Sequence, residues 1–343
     1  MTNIKTKYQL TTSDKDVAIN YQIIHNKLTY QSNKVYHVIE HNWNYTTNKQ
    51  SLFKFMQEVI THLWQMGKFR TSETYRATLR SFIRFRHNKD VLFDEISNDL
   101  MLMYEAYLHN NGVSRNSSSF YMRILRAVYN RAIELGLTAN HNPFKHVYTG
   151  VDKTTKRAIP LKTIKQIKTL DLTSQPSLDF ARDMFIFSFY TRGMSFVDMA
   201  YLRKIDLSNG VLSYRRRKTG QQLYIRWEEC MQKLIEKYDT SQSEFLLPII
   251  NPQKGDERTQ YQNATSLINR KLKHIGKMVG LQIPLTMYVA RHSWASVAKD
   301  KNIPLSIISD GMGHTSVKTT QIYLTSIDSA IIDNANSFIL KSL

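Results

Sequence analysis

Tyr288-Val289-Ala290-Arg291-His292-Ser293-Trp294-Ala295, followed by Gly311-Met312-Gly313-His314-Thr315-Ser316 and Thr319-Thr320-Gln321-Ile322-Tyr323, packs phenols, imidazoles and a guanidinium into one short stretch. Each residue alone has an ordinary reading. Tyr323 lies between Ile322 and Leu324, where a tyrosine usually fills an amphipathic core. His314 after Gly313 reads as a residue at a helix start. Upstream, Arg215-Arg216-Arg217-Lys218 reads as a solvated charge run leading into the turn Lys218-Thr219-Gly220. Arg192, in Tyr190-Thr191-Arg192-Gly193, reads as a surface turn residue. Their joint order and spacing outweigh these separate readings and mark one polar site.

The chain that carries this stretch has 343 residues, enough for two or three domains. Lys and Arg number 47 against 28 Asp and Glu, a net charge of +19. Such a surplus calls for a polyanionic partner. Nucleic acid comes first, because each phosphate contact releases a condensed counterion, and an anionic membrane surface second. The cations are spread along the chain, which favours a long nucleic-acid footprint over one lipid-binding patch. Cys230 is the only cysteine, so an intrachain disulfide and a thiol metal cluster are both excluded. The start, MTNIKTKYQL, lacks the apolar core of a signal peptide, and no apolar run reaches the roughly 20 residues of a membrane span. The expectation is a cytoplasmic protein with no metal, no cofactor and no membrane partner.

The fold class expected is mainly α with small β elements. Residues 14–45 alternate as short strands, with Val17, Ile19, Tyr21 and Ile23 on one face, and predict a small sheet in a module at 1–47. From Ser51 the period becomes helical, with Leu52, Phe55, Met56, Val59, Ile60 and Leu63 at i, i+3, i+4, i+7 spacing. A second helix is expected to start near Ser72 with Thr71 or Ser72 as its cap; Arg76, Arg80 and Arg84 form a basic ridge along it. A third runs through about 95–109. A fourth, about 116–135, carries Arg123, Arg126 and Arg131 and ends at Gly136. Two basic helices in one small unit, 48–150, tilt the reading of these arginines from a solvated face toward phosphate contact. The stretch 148–160 reads as a linker, and 151–343 as the second large domain. Within it, helices are expected near 161–170, 176–190, 196–203, 228–238, 260–280, 288–300, 304–311 and 315–323, with strands at 211–217 and 221–227.

The run Ala290–Ala295 resembles the second-arginine box of tyrosine recombinases, the phage integrase family, and Gly311–Tyr323 resembles that family's nucleophile box, with its nine-residue step from His314 to Tyr323. The resemblance covers about 160–343 well, the helical unit loosely and the N-terminal strands weakly. It implies a helical core-binding domain and a catalytic domain closing as a C-shaped clamp on double-stranded DNA, and an arm-type DNA-binding module at 1–47. Tyr323 would attack the scissile phosphate and hold it as a 3′-phosphotyrosine ester. Arg291 would clamp two phosphate oxygens with its planar fork. His314 would hydrogen-bond a phosphate oxygen or help deprotonate Tyr323. Lys218 would protonate the leaving 5′-oxygen. No ATP, metal or cofactor is required. The amphipathic stretch 327–341 would dock on a neighbouring chain, giving a homo-tetramer on two DNA sites, and the resemblance leaves room for an accessory DNA-bending or directionality protein. His292 is assigned no role beyond packing near Arg291.

Two positions depart from the family pattern. Ser195 stands where the family has its first arginine, three residues before Asp198; Ser-x-x-Asp suits a helix cap instead. Arg192, in the turn just ahead, is the expected stand-in, with Arg215, Arg216 and Arg217 as the alternatives. Tyr288 stands where the family has histidine, keeping a donor but not a group that titrates near neutral pH. It is expected to orient the phosphate and not to move protons. On this resemblance both departures are shared with integrase-like proteins of conjugative elements and invertible DNA segments of the Bacteroides group. The rival readings are a DNA-binding protein of the same fold without strand transfer, and a type IB topoisomerase.

Overall fold

The computed structural model describes residues 51–152, 157–314 and 320. They form two compact units divided between 153 and 154. The strands expected over 14–45, the nucleophile candidate Tyr323 and the amphipathic stretch 327–341 lie outside the described residues.

The first unit is helical: α1 (Leu52–Gln65), α2 (Phe69–Phe85), α3 (Asn98–Asn110) and α4 (Arg115–Glu134). Ser51 and Ser97 open α1 and α3 by accepting the backbone N–H groups of Lys54 and Leu100. The spacing read from the sequence buries Leu52, Phe55, Met56, Val59 and Ile60 on one face of α1. Aromatic edges close this core: Phe82 meets Tyr104 at 4.9 Å and Phe55 meets Phe93 at 5.4 Å, both edge to face. The Tyr104 hydroxyl donates to Ser81 Oγ at 2.9 Å, which satisfies a phenol that would otherwise be buried dry. One expectation fails here. Ser72 does not cap α2, which begins three residues earlier; it is buried and donates to the Ile60 carbonyl, tying α2 to α1. The first part of the expected linker is also anchored. Asn116 of α4 exchanges hydrogen bonds with the Asp152 backbone, and Ser119 donates to the Gly150 carbonyl.

The second unit runs α5 (Leu161–Thr169), α6 (Pro176–Tyr190), α7 (Phe196–Ala200), β1 (Leu207–Ser208), β2 (Val211–Arg215), β3 (Gln222–Arg226), α8 (Glu229–Ile235), α9 (Glu257–Met278), α10 (Met287–Asp300) and α11 (Leu305–Gly311). The three strands form one antiparallel sheet in sequence order, with Tyr214 opposite Leu223 and Arg215 opposite Gln222. Leu212 and Tyr214 of β2 face inward with Leu223 and Ile225 of β3. Helix α7 stops at Ala200, three residues short of the expected end. Helix α6 is buried nearly all round and packs against α9 and α10. Among the described residues, no helix is long and apolar enough to cross a membrane, and no group of three His, Cys, Asp or Glu is placed to hold a metal.

Central burial of α6 brings charge inside. Arg182 pairs with Asp179 and, through Nε, with Asp183 at 2.7 Å; its Nη1 also donates to the Leu170 carbonyl at 2.6 Å. Asp183 further accepts from Lys237 and from the Tyr238 hydroxyl at 2.7 Å. Burial first, and then this carboxylate, hold the Tyr238 phenol well above its ordinary pKa. A buried charge is tolerable only while its partners remain. Asp183→Ala is therefore expected to cost about 3 kcal/mol or more, read as a lower urea midpoint of the full chain at an unchanged m-value; a loss under about 0.5 kcal/mol would contradict the network's role.

Candidate active site

Arg291 projects from the second turn of α10 and is 5% exposed. Its Nη1 donates to the Gly193 carbonyl at 2.7 Å and its Nη2 to the Met312 carbonyl at 2.6 Å, with His314 Nε2 at 2.9 Å. Both carbonyls are available because each lies just beyond a helix C-terminus, where backbone acceptors lack intrahelical donors. The two chain reversals need left-handed residues. Gly193 has φ of 72°, and a Cβ there would sit 2.6 Å from Arg291 Cα. Gly313 has φ of 65°, and its Cβ would meet Leu223 at 2.9 Å and Arg216 Cδ at 3.2 Å. Glycine at each place admits the guanidinium groups.

His314 is buried behind Arg291. Arginine only donates, so His314 Nε2 accepts, and Nδ1 carries the proton toward Thr320 Oγ1 at 2.7 Å. Burial, then the charges of Arg291, Arg216 and Lys218, pull its pKa down to about 4. The ring is neutral at pH 7, with its lone pair toward the arginine.

The β2–β3 hairpin supplies the other cations. Within Arg215–Lys218 only Arg216 turns inward, to 6% exposure, and its Nη1 donates to the Gly313 carbonyl. Its Nε is buried without a hydrogen-bond partner among the described residues. Arg215 is exposed and donates to the Gly220 carbonyl at 2.8 Å; Arg217 lies over the Tyr201 ring at 3.8 Å. Lys218 is exposed at the turn. Asp198 holds this turn: its Oδ1 accepts the Arg217 N–H at 2.9 Å while Oδ2 accepts the Ser195 hydroxyl at 2.7 Å. Ser195 caps α7, as its spacing to Asp198 predicts.

Arg192 is half-buried with φ of 60°, a strained conformation for a side chain of its size. Its stem passes within 3.7 Å of where a Cβ on Gly311 would lie. Arg192, Arg216 and Arg291 all act on the Tyr214 phenol, which burial nevertheless holds well above its ordinary pKa. The structure thus gathers Arg291, His314, Arg216, Arg192 and Lys218. Tyr288 stands apart: it is 49% exposed and meets His292 edge to face at 4.5 Å, while His292 is buried, as packing near Arg291 requires. Thr320 and Tyr214 were not legible as site neighbours; the inward alternation of β2 is the one signal that pointed to Tyr214.

In the first unit, Arg80, Arg84 and Arg126 are exposed, whereas Arg76 and Arg123 are half-buried over Trp64 and Phe120, each at 5.9 Å. Arg126 also donates to Thr149.

Comparison with known proteins gives concordant results. A family model for a phage integrase SAM-like domain matches residues 51–149, and one for the phage integrase family matches 165–329. The tyrosine recombinase XerA of Saccharolobus solfataricus is 26% identical over 142 residues, a stretch that covers 41% of this chain and 43% of that protein. The tyrosine recombinase XerD of Pseudomonas putida is 22% identical over 271 residues, 74% of this chain and 85% of that one. A lambda integrase tetramer bound to a Holliday junction shares the fold, with a TM-score of 0.64 at 16% identity over 81% of this chain and 78% of that one.

The state of His314 has a measurable consequence. Its folded pKa lies below the ordinary value of 6.5, so between pH 6.5 and about 4 the unfolded chain binds the extra proton. The stabilisation is complete above pH 6.5 and is lost as pH falls toward 4. Urea unfolding at pH 7 and pH 5 is expected to show a loss in the wild type that is smaller in His314→Gln; equal losses would contradict the buried neutral imidazole.

Proposed function

The chain belongs to the phage integrase family, the tyrosine recombinases, and from that premise we propose that it is a site-specific DNA recombinase that cuts and rejoins strands through an ester to Tyr323. The observation that carries this reading is the convergence of Arg291 and Arg216, both buried, around the neutral His314, with Arg216 Nε left without an acceptor among the described residues. A buried N–H without an acceptor costs about 1–3 kcal/mol, which an arriving phosphate oxygen relieves. Guanidinium groups offer paired donors in a plane, the geometry that phosphate accepts.

In this reading Arg291 and Arg216 hold the non-bridging oxygens as charge develops on them. The Tyr323 oxygen attacks phosphorus and the bond to the 5′-oxygen breaks; Lys218 gives that oxygen its proton. His314 takes the Tyr323 proton at Nε2 once the phosphate draws the Arg291 donor away from that lone pair, and the negative phosphate raises its basicity as it binds. A 5′-hydroxyl of another strand reverses the step. Thr320 supports Tyr323 as the nucleophile: it is tied to His314, and three residues of chain span at most about 11 Å. Arg216 takes the place that the serine at 195 leaves open, because Ser195 and Asp198 spend their hydrogen bonds on α7 and on the hairpin that carries Arg216. Tyr288, exposed at the start of α10, orients the phosphate.

Residues 48–150 serve as the core-binding domain, with Arg76, Arg80, Arg84, Arg123 and Arg126 on the phosphate backbone. Residues 151–343 serve as the catalytic domain, with Arg215 and Arg217 as flanking contacts, and 1–47 as the arm-type module. The partner is double-stranded DNA, and four chains assemble on two sites, joined through 327–341. The setting is the bacterial cytoplasm, on the nucleoid.

A nicked duplex carrying the inverted repeats beside the gene tests the chemistry. Wild type is expected to leave a covalent protein–DNA adduct, and Tyr323→Phe none. Arg216→Ala is expected to slow adduct formation by at least about 10²-fold and Arg192→Ala by less than about tenfold. The reverse order would give the clamp to Arg192, and a wild type without adduct would leave a DNA-binding protein only.

A further inference from the structure

A second cationic surface lies away from the chemistry. On α9, Arg270, Lys273, His274 and Lys277 recur at i, i+3, i+4 and i+7, so they form one stripe. With Lys271 they line a groove of about 500 Å³, closed on its other side by Leu178 near the start of α6. No carboxylate lines it. The nearby acids are engaged elsewhere: Asp171 with Thr173, and Asp179 with Arg182 and Lys237. Arg291 binds just past the opposite end of α6, so about 18 Å of helix, Leu178 to Tyr190, separates groove and cluster. The catalytic site cannot draw on these cations directly.

We propose that this groove is a second DNA-backbone site, holding a stretch of duplex other than the one being cut. The stripe is about 10 Å long, and duplex DNA presents one charge per about 1.7 Å of its axis, so several phosphates face it at once. Besides Leu178 and Gln175 its lining side chains are four cations and one histidine, which suits sequence-independent contact with a phosphate backbone. The inference rests on the recombinase reading only for the identity of the polyanion. It would let one chain hold a flanking or partner duplex while its catalytic face holds the core site.

The test uses the full chain, a fluorescent 20-base-pair duplex of arbitrary sequence and a salt series. Wild type is expected to take one duplex more per chain than the triple variant Arg270→Gln, Lys273→Gln, Lys277→Gln, altered only at exposed side chains. The variant is expected to bind that last duplex at least about tenfold more weakly, with its slope of log K against log salt reduced by about 2 to 3. Adduct formation on the nicked substrate stays within twofold in the same variant, so a failure of the covalent chemistry is separable from a failure of the groove. The same number of duplexes per chain in wild type and variant, with an unchanged slope, overturns the proposal. A variant that binds duplex as wild type does but loses poly-glutamate assigns the groove to an acidic peptide and also overturns it.

Discussion

A guanidinium withdrawn from water is the constraint around which the second unit is arranged. Arg291 cannot be neutralised by giving up its proton, so the fold must bring acceptors to it. It does so by ending α6 and α11 against α10 and turning the carbonyls of Gly193 and Met312 inward. Both ends need a left-handed glycine, and at Gly193 even one methyl group would collide with the Arg291 backbone. Helix packing, chain reversals and charge placement are one requirement seen at three scales. The buried ion network ties the first half of the same helix, from Asp179 to Asp183, to the Leu170 carbonyl and to Lys237.

His314 follows from that arrangement. A histidine beside two buried arginines cannot hold a proton at neutral pH, and the hydrogen bond from Arg291 fixes its tautomer. The described site therefore sets two buried guanidinium groups beside a neutral imidazole.

At Ser195 the structure shows a division of labour. The hydroxyl caps α7 and supports Asp198, and Asp198 holds the hairpin by the Arg217 N–H. The hairpin in turn delivers Arg216 to the carbonyl of Gly313. A position that could carry a guanidinium instead helps to place one that is 21 residues further along.

Much of the scaffold was legible from the chain itself. Helix α6 begins and ends where its periodicity and Pro176 place it, α10 and α11 are within a residue of expectation, and the alternation of β2 and β3 gives the hairpin. The boxes at 290–295 and 311–323 point to the chemistry because their residue types and order are local facts. What local pattern could not decide is what the buried cation of the hairpin meets, whether Ser72 caps or ties, and what charge His314 carries. Arg216 continues the inward alternation of Leu212 and Tyr214, but its acceptor, the carbonyl of Gly313, lies 97 residues away. A pKa is likewise set by desolvation and by charges from other elements. Those quantities exist only once α6, the hairpin, α10 and α11 have met.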